Sequence, residues 1–144
     1  MEKANPAVFQ LISYSIPKFS FEEPQSQTGN IDIQIHPSGI YNTSSGEFFV
    51  VIAFLAISVN KDDKEDKKTF VEIGFKATFK IEGKPAKENI PEFFYQNCLA
   101  IVFPYLRAFL SNMTLQAGVP LIILPLLNLT HLSAQLKENI EVFE

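Results

Sequence analysis

The sequence predicts an α+β fold in which a four-stranded antiparallel sheet comes first and helices follow. Three observations carry this. Between residues 7 and 82 lie four strand-like runs separated by polar, turn-forming segments, three of them alternating apolar with polar side chains and one, Phe48 to Val59, apolar nearly throughout. A stretch from Phe93 to Leu136 then contains a single charged side chain, Arg107, and opens with helical spacing. Strands first and helices after is an α+β order, not the alternation of a parallel α/β fold. At 144 residues the chain is read as one domain, 1–144, large enough to bury its own core.

Composition narrows the function classes. A hydrophobic share of 47% with 19% charge belongs to a globular chain. The net charge of −4 offers no basic face to phosphate, so no nucleic-acid partner is expected. One cysteine, Cys98, leaves no intramolecular disulfide and fits a reducing compartment. The N-terminal residues lack the cationic start and apolar core of a signal peptide, and a cytoplasmic location is expected. Ala108 to Leu136 carry no charge, yet Ser111, Asn112, Gln116, Pro120, Pro125 and Asn128 interrupt any membrane-spanning helix, so no insertion is expected.

Taken in order, Ala7 to Glu22 reads as a strand with Phe9, Leu11, Phe19 and Phe21 among polar neighbours. Pro17 marks an edge position or a bulge. Glu22 to Asn30 is a loop by composition. Ile31, Ile33 and Ile35 then alternate with Asp32, Gln34 and His36 in a half-buried strand that continues toward Tyr41. After the turn Asn42 to Glu47, the run FFVVIAFLAISV (Phe48 to Val59) is apolar nearly throughout, as in a central strand. Asn60 to Lys68 is a charged hairpin tip lacking the glycine-centred pattern of a calcium loop. Thr69 to Glu82 forms the fourth strand.

A helix is expected from Pro91, a residue suited to the first turn. Phe94, Cys98, Ile101, Tyr105, Phe109 and Met113 line one apolar face, and Phe103, Leu106 and Leu110 a second. Two such faces call for two partners, the sheet and another chain. Pro104 is expected to kink or break the helix. The segment VPLIILPLL holds two prolines and is an irregular apolar loop. Either it is core, or it borders an exposed groove of the kind that marks a binding site. Asn128 caps a last helix carrying Leu129, Leu132, Leu136 and Ile140.

Catalytic signatures are missing. His36 and His131 lie on polar positions with no metal-spaced companions, no glycine-rich phosphate loop follows a strand, and Cys98 sits on an apolar helix face. No enzyme, metal or cofactor is expected.

The chain resembles the protein-export chaperone SecB. Asn97 to Met113, NCLAIVFPYLRAFLSNM, is similar to that family's segment leading into FPYAR. Asn128 with Leu132 is similar to its Asn-Phe-Asp-Ala-Leu, and FSFEEP (Phe19 to Pro24) to its Ile-Ser-Phe-Glu-Ala-Pro. The resemblance implies a four-stranded sheet followed by a long kinked helix, an apolar proline-containing loop and a C-terminal helix, with subunits joined as a dimer of dimers. It implies an ATP-independent holdase that binds unfolded preproteins in an apolar groove for export through the Sec translocase. The groove matches Val119, Leu121, Ile122, Ile123, Leu124 and Leu126, and the subunit interface Phe103, Leu106, Leu110 and Met113. Glu22, Phe70 and Glu72 match the face that meets the Sec translocase motor ATPase. Lys18 stands where an acid is expected, and the family's tail beyond the last helix has no counterpart. Two other readings stay open: a SecB-like chaperone with a dedicated client such as an antitoxin, and a carrier of a small apolar ligand.

Overall fold

The computed structural model describes residues 8–23, 30–60, 62–119 and 122–144. The expected loop at 24–29, and with it Ala7, Pro120 and Leu121, lies outside the described residues.

Four antiparallel strands form in the expected places: β1 (Phe9–Phe21), β2 (Asn30–Asn42), β3 (Glu47–Val59) and β4 (Lys67–Ile81). A fifth, β5 (Ile140–Phe143), was not expected. The sheet order is β1-β4-β3-β2-β5, with β5 parallel to β2 through Gly39 to Asn42. Its presence corrects the reading of Ile140 as the end of the last helix. Asn139 leaves helical geometry at φ −118° and ψ 54°, and the alternating Ile-Glu-Val-Phe that follows suits a strand.

Proline placement follows from hydrogen bonding. β1 lies at the sheet edge, and its register with β4 shifts between Leu11 and Ser13 and again between Ser15 and Lys18. Pro17 falls in the second irregularity, where no ladder bond is asked of it. Pro37 lies inside β2, two residues before β5 joins that strand's far edge at Gly39.

One face of β3 and β4 makes the core. Phe48, Ile52, Phe54, Phe75 and Phe79 are fully buried, as expected for a central hairpin. They pack under α1 (Glu92–Gln116), whose Phe94 stands edge-on to Phe9, Phe48 and Phe79. Gly39 of β2 leaves room for the Phe48 ring, since a Cβ there would lie 2.6 Å from it. After a single 3-10 turn (Lys87–Asn89), α1 runs unbroken through Pro104, so the expected break does not occur. The carbonyl left without its helical donor belongs to Ala100, which is exposed to water. α2 (Leu129–Glu138) packs beside α1 and over β2.

Candidate functional site

The loop between the helices is held at both ends by hydrogen bonds that local sequence dictates. α1 ends on Gly118 at φ +71°, with the Gly118 amide donating to Leu115 and the Val119 amide to Thr114. This is a glycine-terminated helix end. Thr114 is fully buried; its hydroxyl faces the carbonyls of Leu110 and Ser111 and accepts the Ile122 amide at 3.2 Å. Arg107, the one charge in the apolar stretch, donates from Nε to the Leu124 carbonyl at 3.5 Å. At the far end the Asn128 side chain accepts the His131 amide at 3.1 Å, the expected cap of α2.

So tied, the loop alternates. Ile122 and Leu124 point into the core at 7% and 2% exposure, whereas Ile123 and Leu126 are 63% and 97% exposed. Val119 is half-buried, and Leu121 lies outside the described residues. The two sequence readings of this loop, core and exposed surface, hold for different residues of it.

Beside the loop an open cleft of about 260 Å³ runs between β2 and α2, lined by Ile33, Ile35, Pro125, Leu127, Asn128, His131, Leu132 and Gln135. Of the expected groove residues, the five that are described, Val119, Ile122, Ile123, Leu124 and Leu126, do not line it. Sequence reasoning passed over Ile33 and Ile35 because they were read only as one face of a strand. Their alternation with Asp32, Gln34 and His36 marks a half-buried face, but nothing beside them in the sequence says what covers it.

The helix face expected to meet a second chain is corrected. Phe103, Leu106 and Leu110 are buried in the protomer's own core, and Met113 is half-buried. The contact arc turns around α1 along its length, from Phe94 and Cys98 to Leu110 and Thr114, as the twist of the sheet beneath requires. The face left open carries Phe93, Ile101, Pro104, Tyr105, Ala108 and Leu115 and no charge between them. It adjoins β1, where Tyr14 stacks on Tyr105 at 4.4 Å and Phe19 meets Phe109 at 5.2 Å. α1 is long and apolar enough to cross a membrane by length and composition alone, but its other face is packed into this core.

The expected motor-facing residues are not alike. Glu22 is exposed and Glu72 half-buried, and each has a lysine: Lys68 stands 3.0 Å from Glu22 and Lys18 3.9 Å from Glu72. Phe70 is corrected to a buried position, 3% exposed and edge-on to Phe21, because the β3–β4 register shifts at Ala56 and Ile57. Cys98 is buried, its thiol donates to the Tyr95 carbonyl at 3.2 Å, and desolvation pushes its pKa well above the ordinary thiol value. Such a thiol is a packing group. Among the described residues, no group of three His, Cys, Asp or Glu side chains is placed to hold a metal.

Sheet, long helix, pinned apolar loop and capped second helix together define a chaperone fold of the SecB-like type. The profile of the family described as preprotein translocase subunit SecB matches residues 2–139, and the chain belongs to the SecB family. The protein-export protein SecB of Verminephrobacter eiseniae is 30% identical over 126 residues, 83% of this chain and 79% of that one. An uncharacterized protein of Methanocaldococcus jannaschii is 28% identical over 76% of this chain, which spans 66% of the archaeal relative's length. The solved structure of a Mycobacterium tuberculosis SecB-like chaperone, in complex with a ChAD peptide from the HigA1 antitoxin, shares the fold. Its TM-score is 0.63 at 17% identity, covering 83% of this chain and 91% of that one.

Proposed function

We propose that this SecB-family chaperone is a holdase, binding unfolded polypeptide in extended form across the β2–α2 cleft and the outward side chains of the adjoining loop. The observation that carries the reading is the loop itself. Its backbone is fixed by Thr114, Arg107 and Asn128, yet Ile123 and Leu126 face water beside an apolar cleft. A fold that fixes a segment in place and leaves its aliphatic side chains exposed presents a binding surface. Apolar contact is worth roughly 25 cal/mol per Å² whatever the client's sequence, so such a surface is unselective and needs no nucleotide. Relatives named as protein-export proteins favour preprotein clients bound in the cytoplasm and passed to the Sec translocase motor ATPase. The uncharged face of α1 and the neighbouring β1 is where further copies would join in a homo-oligomer, as a dimer or a dimer of dimers.

One observation favours the dedicated-client reading, with an antitoxin as the type of client. A docking face for the motor needs acidic side chains free to pair, and Glu22 and Glu72 each have a lysine beside them. The small-ligand reading ranks last: the apolar cleft, at about 260 Å³, falls below the ~300 Å³ from which ligand pockets begin, and the larger hollow of about 540 Å³ beside β5 is open and bordered by Ser38, Glu138, Asn139 and Glu141.

The test is a variant carrying Ile123→Ser and Leu126→Ser. Its melting temperature should match the wild type, while its ability to keep a denatured protein from aggregating should fall. Each lost contact is worth roughly 1–2 kcal/mol, so affinity should drop at least tenfold. Unchanged holding by the folded variant overturns the reading.

A further inference from the structure

The cleft contains one polar atom that the apolar-groove reading leaves unused. Gln135 of α2 lines the cleft together with Ile33 and Ile35, and its side-chain Oε1 is buried with no hydrogen-bond partner among the described residues. Folded proteins seldom leave such an oxygen without a donor, because the group has lost its water and gained nothing in return. Two nearby polar groups are already committed to other partners. Asn128 Oδ1 accepts the His131 amide at 3.1 Å, and the Gln135 main-chain carbonyl accepts from Asn139 Nδ2 at 2.7 Å. Gln135 thus lines the cleft with an unpartnered amide oxygen, which a turn of the side chain about its last bonds would bring to the cleft surface.

We propose that Gln135 binds the main chain of the extended client, an inference that rests on the holdase reading of the same cleft. A primary amide can turn about its last bond to present either a carbonyl oxygen or an N–H at one point. An extended polypeptide presents both groups in alternation, whatever its side chains are. Along the same cleft, the far edge of β2 from Asn30 to Ser38 has no strand beside it among the described residues, so an extended chain has room to lie there. The contact also separates unfolded from folded clients. A folded protein has nearly all its main-chain groups paired with one another, whereas an unfolded segment has them free. A hydrocarbon ligand offers Gln135 no donor at all. The apolar walls thus supply strength, and one amide checks that what they hold is unpaired backbone.

The experiment compares wild type with Gln135→Met, which keeps the length and helix preference of the side chain but removes the amide. The probe is a labelled apolar nonapeptide, and a set of the same peptide with each backbone nitrogen methylated in turn. Wild type should show one position where methylation weakens binding about five- to tenfold, the worth of one hydrogen bond between neutral groups. Gln135→Met should bind the unmethylated peptide more weakly by the same factor and lose sensitivity at that position. Its melting temperature should hold or rise, since an unpaired buried oxygen is gone; a structural glutamine would instead leave it lower. Gln135→Leu serves as a second variant if the first does not fold. Equal affinities and superimposable methylation profiles for wild type and variant overturn the proposal while leaving the cleft as the binding site. If Ile33→Ser and Leu127→Ser also leave peptide affinity unchanged, the cleft is not the site and the holdase reading falls with it.

Discussion

Phe48–Val59 and Ile122–Asn128 are both uncharged, strongly apolar stretches, and the fold treats them differently. In β3 the ladders to β2 and β4 satisfy the backbone along its length, so alternate side chains are free to bury against α1. The other side chains of β3 form the sheet's outer face, where Lys76 lies 4.8 Å over the Phe49 ring. The loop has no ladder. Three side chains, Thr114, Arg107 and Asn128, hold its backbone, and they do so with only two aliphatic groups, Ile122 and Leu124, sunk in the core. Apolar character therefore builds stability in one region and leaves surface in the other. What decides is how each backbone is satisfied, not which side chains are present.

The largest effect should come from the pair of neighbours that the loop sends in opposite directions. Ile122→Ser leaves a cavity and places a hydroxyl among apolar groups, a loss of about 3–5 kcal/mol. Ile123→Ser, one residue on, should change stability by less than about 0.5 kcal/mol, as exposed substitutions usually do. Urea unfolding of both variants checks this, and equal losses would mean that the alternation of the loop is wrong.

A smaller loss is expected for Thr114→Val, which keeps the shape of the side chain. The Ile122 amide then loses its acceptor inside the protein, at a cost of about 1–3 kcal/mol. The loop rather than the sheet should loosen. Hydrogen exchange should quicken at Ile122 and Leu124 while β3 amides keep their protection, and uniform quickening would show that Thr114 supports the whole core instead.

The fold was largely legible because its signals are local. Period-two alternation gave β1, β2 and β4, a continuous apolar run gave β3, Asn128 announced the cap of α2, and Pro17 marked an irregular edge. β5 was not legible, since four residues after a helix carry too little periodicity to separate Ile140 from the helical pattern before it. The buried face of α1 was misassigned for a different reason. A helix lying on a twisted sheet turns its contact face along its length, so a fixed repeat starting at Phe94 runs onto the exposed Ile101 and Tyr105. The site was legible only in outline. That the loop mattered could be read from its composition, but the cleft is assembled from Ile33 and Gln135, about a hundred residues apart. The direction of each loop side chain depends on Thr114, a residue with no distinguishing mark in the sequence.

The smallest effect on stability should come from the outer face of the sheet. Lys18→Ala and Lys68→Ala together remove the partners of Glu72 and Glu22, and each pair has one exposed and one half-buried member, open to solvent. Exposed ion pairs are worth ~0–1 kcal/mol each, so the melting temperature should scarcely move. The consequence for partners is sharper. If this face meets the Sec translocase motor, releasing two carboxylates should raise the rate of association at low salt and make it more salt-dependent, because charge acts mainly on encounter. If the lysines have instead retired the face from that role, the double variant should bind the motor no better than wild type. Stopped-flow association at two ionic strengths distinguishes the outcomes. A flat response, alongside intact holding of unfolded polypeptide, would favour the dedicated-client reading.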